Sequence, residues 1–439
     1  MAGVPLNQIR LTWGYWRDRR ASVDYESDPL VARFAPNREA SSVLRRHNEA
    51  SLATDADRSS FFIALVVVDI FVGLADSISL PYMVLFFVDQ AGFSPLSLSA
   101  ILTARALASI VFSMAFGAWI DKRTSVAPLR LALAGSAIGY ALLGLTTDFV
   151  ALLVIAALPI AIGAAAFSQS IALAKRNFNQ ASPHTVNRAI GVLRASWSLA
   201  WAIGPAVGAL LIGAGGFRGA FFGSAASGAI ALATLAVVQR RVVLADAGKA
   251  HPTKPANGGP AIALAFAALA LFNTAMFLGS IPLPIVLTTS LGGVESDVGI
   301  TMSLCAALEI IVMGALIWRP LHSGERAAIV AGFAAFIVYF VALTLARSVG
   351  AVFWAQIPRA IGIGLVTYLG ISFLHSLMPH RAGAAAALFS NSGQLGSVLA
   401  ALSVGGLAKA FGYASIFAVC AVLSAAGLAL VCVTPAAPD

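Results

Sequence analysis

Twelve long apolar stretches, separated by short polar segments, constrain this chain more than any other feature. Each has roughly the 20 residues that an α-helix needs to cross about 30 Å of hydrocarbon. They predict an all-α membrane protein with twelve transmembrane helices. The predicted spans are 61–88, 97–120, 129–147, 149–174, 188–213, 217–239, 261–290, 298–318, 326–346, 350–378, 382–408 and 411–434.

The distribution of charge predicts how the chain crosses the membrane. Residues are 59% hydrophobic and only 11% charged, which excludes an ordinary soluble domain. Most basic residues precede the first span or follow an even-numbered span. The positive-inside rule therefore places both termini in the cytoplasm. The net charge of +9 indicates topology, and we expect no nucleic-acid partner.

The order of the spans predicts two halves joined by a linker. Residues 240–260 contain several prolines and glycines and have six spans on each side. The spans also repeat weakly at an offset of about 200 residues, as in Ile78-Ser79-Leu80-Pro81 and Ile281-Pro282-Leu283-Pro284. Such a duplication favours a central site reached alternately from the two sides. The predicted parts are a disordered cytoplasmic tail 1–60, a bundle 61–239, a cytoplasmic linker 240–260, a bundle 261–434 and a cytoplasmic tail 435–439.

Two motifs carry a resemblance to a known superfamily. The segment Gly117-Ala118-Trp119-Ile120-Asp121-Lys122-Arg123 resembles the loop that follows the second span in the major facilitator superfamily. The glycine-rich part of span 5, including Gly204 and Pro205, resembles a motif of antiporters in that superfamily. The resemblance implies two pseudo-symmetric six-helix bundles and export. It also implies a gating role for Gly117, Asp121, Lys122, Arg123, Gly204 and Pro205.

Three further segments, 194–205, 306–310 and 377–385, resemble bacterial sugar efflux transporters. This resemblance implies export of a sugar or glycoside. The chain departs from that family at Asp76, Arg105 and Arg359, where uncharged residues are expected. These departures leave open a second cargo class, a drug or natural product.

Polar residues inside the spans are the candidate substrate-binding groups, because charges in the bilayer usually pair or line a wet cavity. Arg194, Trp197 and Trp201 are three and four residues apart and share one helix face. A guanidinium beside indole rings suits a polyhydroxylated molecule. The alternatives are fixed ion pairs and ordinary helix packing. The candidates are Arg194, Trp197, Trp201, Arg105, Arg359, Gln169, Asn273, Gln356, Asn391 and Gln394.

Glu309 is the first candidate for proton coupling, and Asp76 is the second. Glu309 corresponds to the acid in span 8 of the sugar efflux transporters, which the resemblance implies is functional. A carboxyl group in apolar surroundings can gain and lose a proton near neutral pH. The alternatives are a permanent pair with an arginine and a hydrogen bond to substrate.

The sequence predicts a transporter and no enzyme. It has no phosphate-binding loop for ATP, and its cytoplasmic loops are too short for a catalytic domain. We expect no cofactor and no metal, with a small-molecule substrate, protons and the lipid bilayer as partners of a monomer in a bacterial inner membrane. A proton antiporter is the first interpretation. A proton-coupled uptake symporter and a non-transporting membrane sensor are the remaining alternatives.

Overall fold

A computed structural model describes residues 38–122, 125–178, 182–239, 259–319, 324–378 and 382–435. These residues form helices joined by short turns, with no strand among them. The chain separates into a unit of residues 1–57 and a unit of residues 58–439. In the first unit, the described residues 38–57 are helical.

The helices are labelled α1 to α12 in chain order. α1 is Arg38–Leu85, continued by a π-helical turn Phe86–Gln90. α4 is assembled from Phe149–Ile155, a π-helical turn Ala156–Ile160, Ala161–Gly163 and Ala166–Asn177. α7 is Pro260–Ser280 followed by Pro282–Thr289. The others are α2 Pro95–Lys122, α3 Ala127–Leu143, α8 Glu295–Trp318, α9 Glu325–Leu345, α10 Val349–Ser376, α11 Ala382–Phe411 and α12 Ile416–Val433.

One long helix, Pro183–Gln239, contains two of the predicted spans. Gly215 and Gly216 leave the helical conformation, and Gly216 has a φ of 63°, which glycine adopts without steric cost. This kink divides the helix into α5, residues 183–214, and α6, residues 217–239. Ten helices in the described part of the chain are long and apolar enough to cross a membrane, and α3 is a shorter apolar helix. With α5 and α6 counted separately, the predicted twelve-helix fold is confirmed.

The predicted tail 1–60 differs from the structure at its end. α1 begins at Arg38, so residues 38–60 are helical where disorder was expected. This segment contains no glycine or proline, and its four alanines and four arginines favour helix. Residues 1–37 and 240–258 lie outside the described residues. The division into two bundles with a linker stays a prediction.

Among the described residues, helices of the first six spans contact those of the last six most extensively where α2 meets α11 and where α5 meets α8. We call the end of the bundle where α2 and α8 begin the far end, and the other the near end. At the far end, the Ser99 hydroxyl on α2 donates to the Ala401 carbonyl on α11 at 2.5 Å. The Tyr82 hydroxyl on α1 donates to the Pro205 carbonyl on α5, also at 2.5 Å.

Glycines show that the far end is tightly packed. A Cβ added to Gly299 on α8 would lie 2.8 Å from the Pro205 carbonyl oxygen and 3.0 Å from Ala209 Cβ. One added to Gly405 on α11 would lie 2.7 Å from the Pro95 carbonyl oxygen. Small residues of this kind let helices approach closely in a membrane.

Three glycines at the near end have open space beside them instead. A Cβ added to Gly117 on α2, Gly191 on α5 or Gly314 on α8 would meet no described atom within 4 Å. The buried apolar residues agree with this difference. One cluster joins both sets of helices and includes Tyr82, Leu98 and Val298, whereas the other is confined to residues 61–235. Among the described residues, the two sets of helices are therefore joined at the far end.

Candidate functional site

A cavity of about 760 Å³ lies between the two sets of six helices. Residues of α1, α2, α4 and α5 line one side, and residues of α7, α8, α10 and α11 line the other. Its charged lining residues are Arg105, Glu309 and Arg359. This is where an internal duplication places a shared site.

Arg359 on α10 is held in place by neutral groups from three other helices. Its Nη1 donates to Gln356 Oε1 at 3.1 Å and its Nη2 to Ser280 Oγ at 3.2 Å. Nη1 also lies 3.6 Å from the sulfur of Met302. The guanidinium carbon is 5.6 Å from the ring centroid of Tyr339, within the range of a cation–π contact. Arg359 is thus a fixed positive charge at the cavity wall.

Glu309 on α8 is half-buried and lines the same cavity. Its Oε1 accepts a hydrogen bond from the Cys305 thiol at 3.2 Å. Arg359 interacts with it electrostatically, without a hydrogen bond between the two side chains among the described residues. A permanent Glu309–arginine ion pair, one of the alternatives above, is not what the described side chains form.

The first half of the chain carries a comparable polar group. The Tyr140 hydroxyl on α3 donates to Asp76 Oδ1 on α1 at 2.7 Å, and Arg105 interacts with Asp76 electrostatically. Arg105 lines the cavity, and its buried Nε has no hydrogen-bond partner among the described residues. Asp76 itself is not among the lining residues. Tyr140 and Tyr339 are about 200 residues apart, so each half places a tyrosine beside its arginine.

Aromatic side chains form the remaining wall on the α5 side. Trp197 and Trp201 both line the cavity, and Phe277 faces it from α7. The rings of Trp197 and Phe167 pack at a centroid distance of 4.7 Å, which fixes the indole. Trp201 Nε1 is buried without a partner among the described residues.

The structure brings six of the predicted coupling and substrate-binding residues to the cavity. These are Glu309, Arg105, Arg359, Trp197, Trp201 and Gln394. Arg194 and Asn391 are exposed and are not lining residues.

The three other predicted amides are buried away from the lining. Asn273 donates to the Leu269 carbonyl at 2.8 Å, and Gln356 donates to the Val352 carbonyl at 2.9 Å. Gln356 also orients Arg359, so it acts on the cavity indirectly. Gln169 is buried on α4, outside the lining.

The predicted gating residues fall into two groups. Gly204 and Pro205 lie where α5 packs tightly on α1, since a Cβ on Gly204 would overlap the Ser77 side chain. Gly117 lies at the open near end, and Lys122 is exposed. The side chain of Asp121 and all of Arg123 lie outside the described residues, so the charge latch stays a prediction.

Two residues of the cavity wall, Ser280 and Cys305, and two residues behind it, Tyr140 and Tyr339, were not predicted as site residues. Ser280, Tyr140 and Tyr339 bind the charged groups, and Cys305 donates to Glu309. The internal repeat could have indicated the two tyrosines because they occupy corresponding positions in the halves. Nothing in the sequence distinguishes Cys305 or Ser280 from other small residues of the spans.

The family of the chain is shown by comparison with known proteins. The family model of the Major Facilitator Superfamily matches residues 65–313. The chain belongs to the Major Facilitator Superfamily. It is therefore a transport protein and not an enzyme.

Curated relatives of this superfamily member place it beside sugar exporters. It is 33% identical over 370 residues to a protein of Deinococcus radiodurans named, provisionally, as a sugar efflux transporter; the match covers 83% of this chain and 95% of the relative. It is 28% identical over 376 residues to sugar efflux transporter A of Escherichia coli, and the match covers 84% of this chain and 95% of the relative. The resemblance to this branch is confirmed.

Solved structures of other transporters share the fold. A POT family transporter in complex with a thioalcohol-conjugated peptide superposes with a TM-score of 0.70 at 14% identity, covering 85% of this chain and 94% of that one. An inward-facing, unoccupied bacterial homologue of the human lysosomal transporter Spinster gives a TM-score of 0.65 at 15% identity. The match covers 86% of this chain and 95% of that one. At these identities the similarity establishes the architecture of the superfamily member and nothing about its cargo.

Proposed function

We propose that the protein exports a sugar or glycoside by alternating access, as a proton antiporter. The observation that carries the proposal is the cavity between the two sets of helices. Its wall presents the guanidinium groups of Arg105 and Arg359, the amide of Gln394 and the indole rings of Trp197 and Trp201. These groups suit a polyhydroxylated molecule. The relatives of the chain are named sugar efflux transporters. Its volume of about 760 Å³ lies within the range of small-molecule sites.

The packing of the two ends supports alternating access. The far end is closed by the hydrogen bond of Ser99 to Ala401 and by the packing of Gly299 against Pro205 and Ala209, whereas Gly117, Gly191 and Gly314 at the near end meet no described atom. With both termini in the cytoplasm, as the positive-inside rule predicts, this is an inward-facing state. A transporter needs a second state in which the near end closes and the far end opens.

Proton coupling is assigned to Glu309 because of where it lies. Its carboxyl faces the cavity that substrate would occupy, and its hydrogen-bond partner is a neutral thiol. Substrate and proton can therefore compete for the same region of the cavity, which is the requirement for antiport. Arg359 is close enough to stabilise the charged form once the proton leaves.

The test is export from cells. A strain that lacks its own sugar exporters is loaded with radiolabelled lactose, glucose or a glycoside, and the label retained is followed with and without expression of the protein. We expect faster loss of at least one sugar, abolished by an uncoupler of the proton gradient. Unchanged retention of every sugar at confirmed membrane expression would reject sugar export.

A drug or natural product is the second candidate cargo. The observation that favours it is that Arg105 and Arg359, absent from the pattern of sugar efflux transporters, both line the cavity. A panel of antibiotics tested in the same strain separates the two cargoes, because a drug exporter raises resistance without reducing sugar retention.

Trp197→Ala should weaken cargo binding. We expect the apparent KM to rise about 3- to 10-fold, since aromatic contacts contribute roughly 0.5–1.5 kcal/mol beyond the area that they bury. Trp354→Ala is the matched control, because this indole on α10 is 75% exposed and lies outside the lining. The measurement is the concentration dependence of transport at equal membrane expression. Equal losses of expression and transport would assign Trp197 to packing.

A further inference from the structure

A second carboxyl group is buried away from the cavity, on α1. The side chain of Asp69 is 0% exposed, and it is not a lining residue. Asp76 lies two helical turns further along, where it accepts from Tyr140. The two acids of α1 are thus in different environments. The candidate role of Asp76 in proton coupling does not explain why Asp69 is buried.

The described surroundings of Asp69 supply an oxygen atom and no positive charge. Ser170 on α4 is fully buried and lies beside the carboxyl. Both oxygens of Asp69 and the Ser170 hydroxyl lack a well-formed hydrogen bond among the described residues. Three buried polar atoms without such a bond, on two neighbouring side chains, require an explanation.

Among the described residues, the charged groups of the neighbouring helices do not supply a counterion. Arg176 follows on α4 and is engaged in a contact of its own. No described lysine or arginine interacts electrostatically with Asp69, and Arg105 on α2 interacts with Asp76 instead. The side chain of Asp121 is not described. Other basic residues of α2, α3 and α5 are exposed, namely Lys122, Arg130, Arg188 and Arg194.

A bare carboxylate at this position is energetically untenable. The cluster around it is built from aliphatic and aromatic side chains, including Val68, Val72 and Leu173. An ionised group transferred into such surroundings without a partner loses its hydration and receives nothing in return. The carboxyl must therefore hold a positive ion or a proton.

We propose that Asp69, together with Ser170, binds one monovalent cation, a proton or a sodium ion, at a site separate from the cavity. Carboxylate and hydroxyl oxygens are ligands that hard cations prefer. The site goes beyond the proposed function, which places proton exchange at Glu309, and its occupancy does not depend on which molecule is exported.

Infrared spectroscopy of the purified protein in lipid tests the proton. A buried protonated carboxyl gives a C=O stretching band. In D₂O this band shifts only slowly, because the buried proton exchanges slowly for deuterium. We expect a slowly exchanging band in the wild type that Asp69→Asn lacks, distinct from any band of the cavity-facing Glu309. Asp148→Asn is the matched control, because Asp148 is an exposed N-cap that asparagine replaces well. The band should be unchanged in that variant.

Thermal unfolding tests sodium. If the ion is sodium, the band is absent, and NaCl stabilises the wild type and Asp148→Asn more than KCl at equal ionic strength. Asp69→Asn should lose this difference. Ser170→Ala keeps the Asp69 carboxyl and is the second test variant if Asp69→Asn folds poorly. We expect it to shift the C=O band or to weaken the stabilisation by sodium several-fold. A wild type with neither the band nor a sodium effect overturns the proposal, whether or not a sugar is exported.

Discussion

Glu309→Gln should reduce uphill export at least 10-fold, to the background of vesicles without transporter, while downhill exchange of labelled for unlabelled substrate stays within about 3-fold of wild type. Glutamine keeps the size and hydrogen-bonding capacity of the side chain that faces the cavity but cannot release a proton. Substrate can still bind and cross, because the two-state change itself does not require the proton. Only the link to the proton gradient is removed.

The measurement uses proteoliposomes with an imposed pH gradient and, separately, substrate counterflow without a gradient. Glu325→Gln is the matched control, since Glu325 lies in the first turn of α9 and outside the cavity lining. It should retain both activities. Uphill export by Glu309→Gln would remove Glu309 from the coupling mechanism, and Asp76 would be the next acid to substitute.

Gly299→Val should open the far end. A Cβ at this position would lie 2.5 Å from the Tyr82 hydroxyl and 2.8 Å from the Pro205 carbonyl oxygen. Overpacking of this kind costs about 1–3 kcal/mol, which shifts a two-state equilibrium by about 5- to 150-fold. Because the clash exists only when the far end is closed, the population moves toward the state in which it is open.

The measurement is labelling of Ala401→Cys by a membrane-impermeant maleimide, with Cys305, Cys420 and Cys432 replaced by alanine. Ala401 is buried at the closed far end. Labelling from that side should rise about 10-fold or more in Gly299→Val. Gly314→Val is the control, because a Cβ there meets no described atom within 4 Å. Equal labelling of the two valine variants would contradict the gate.

The sequence predicts the helices well because the bilayer imposes their length. α2 was expected at 97–120 and is Pro95–Lys122, and the boundary between spans 5 and 6 coincides with Gly215 and Gly216. The start of α1 was missed, since its first turns are polar and hydropathy carries no signal there. Helical propensity was the only indication in that segment.

The candidate site was predictable in part. A charge in a membrane span is costly, so Arg105, Glu309 and Arg359 were recognisable as cavity residues. Periodicity correctly puts Trp197 and Trp201 on one face, but whether Arg194 reaches the cavity depends on depth and on how α5 is rotated. Packing decides both. The amides of Asn273 and Gln356 find partners within their own helices, which no pattern of residue types reveals.

Two hydrogen bonds at the far end have main-chain acceptors: one joins the two sets of helices, and the other lies in the surface of the first set on which Gly299 packs. Ser99 and Tyr82 contribute hydroxyl groups, whereas Ala401 and Pro205 contribute carbonyl oxygens that any residue would also possess. Substitutions are therefore constrained unequally at the donor and acceptor positions of these hydrogen bonds. The donors must keep their chemistry, and the acceptors need only remain small enough for the helices to meet. Relatives can carry other small residues at positions 401 and 205 and still form the same hydrogen bonds.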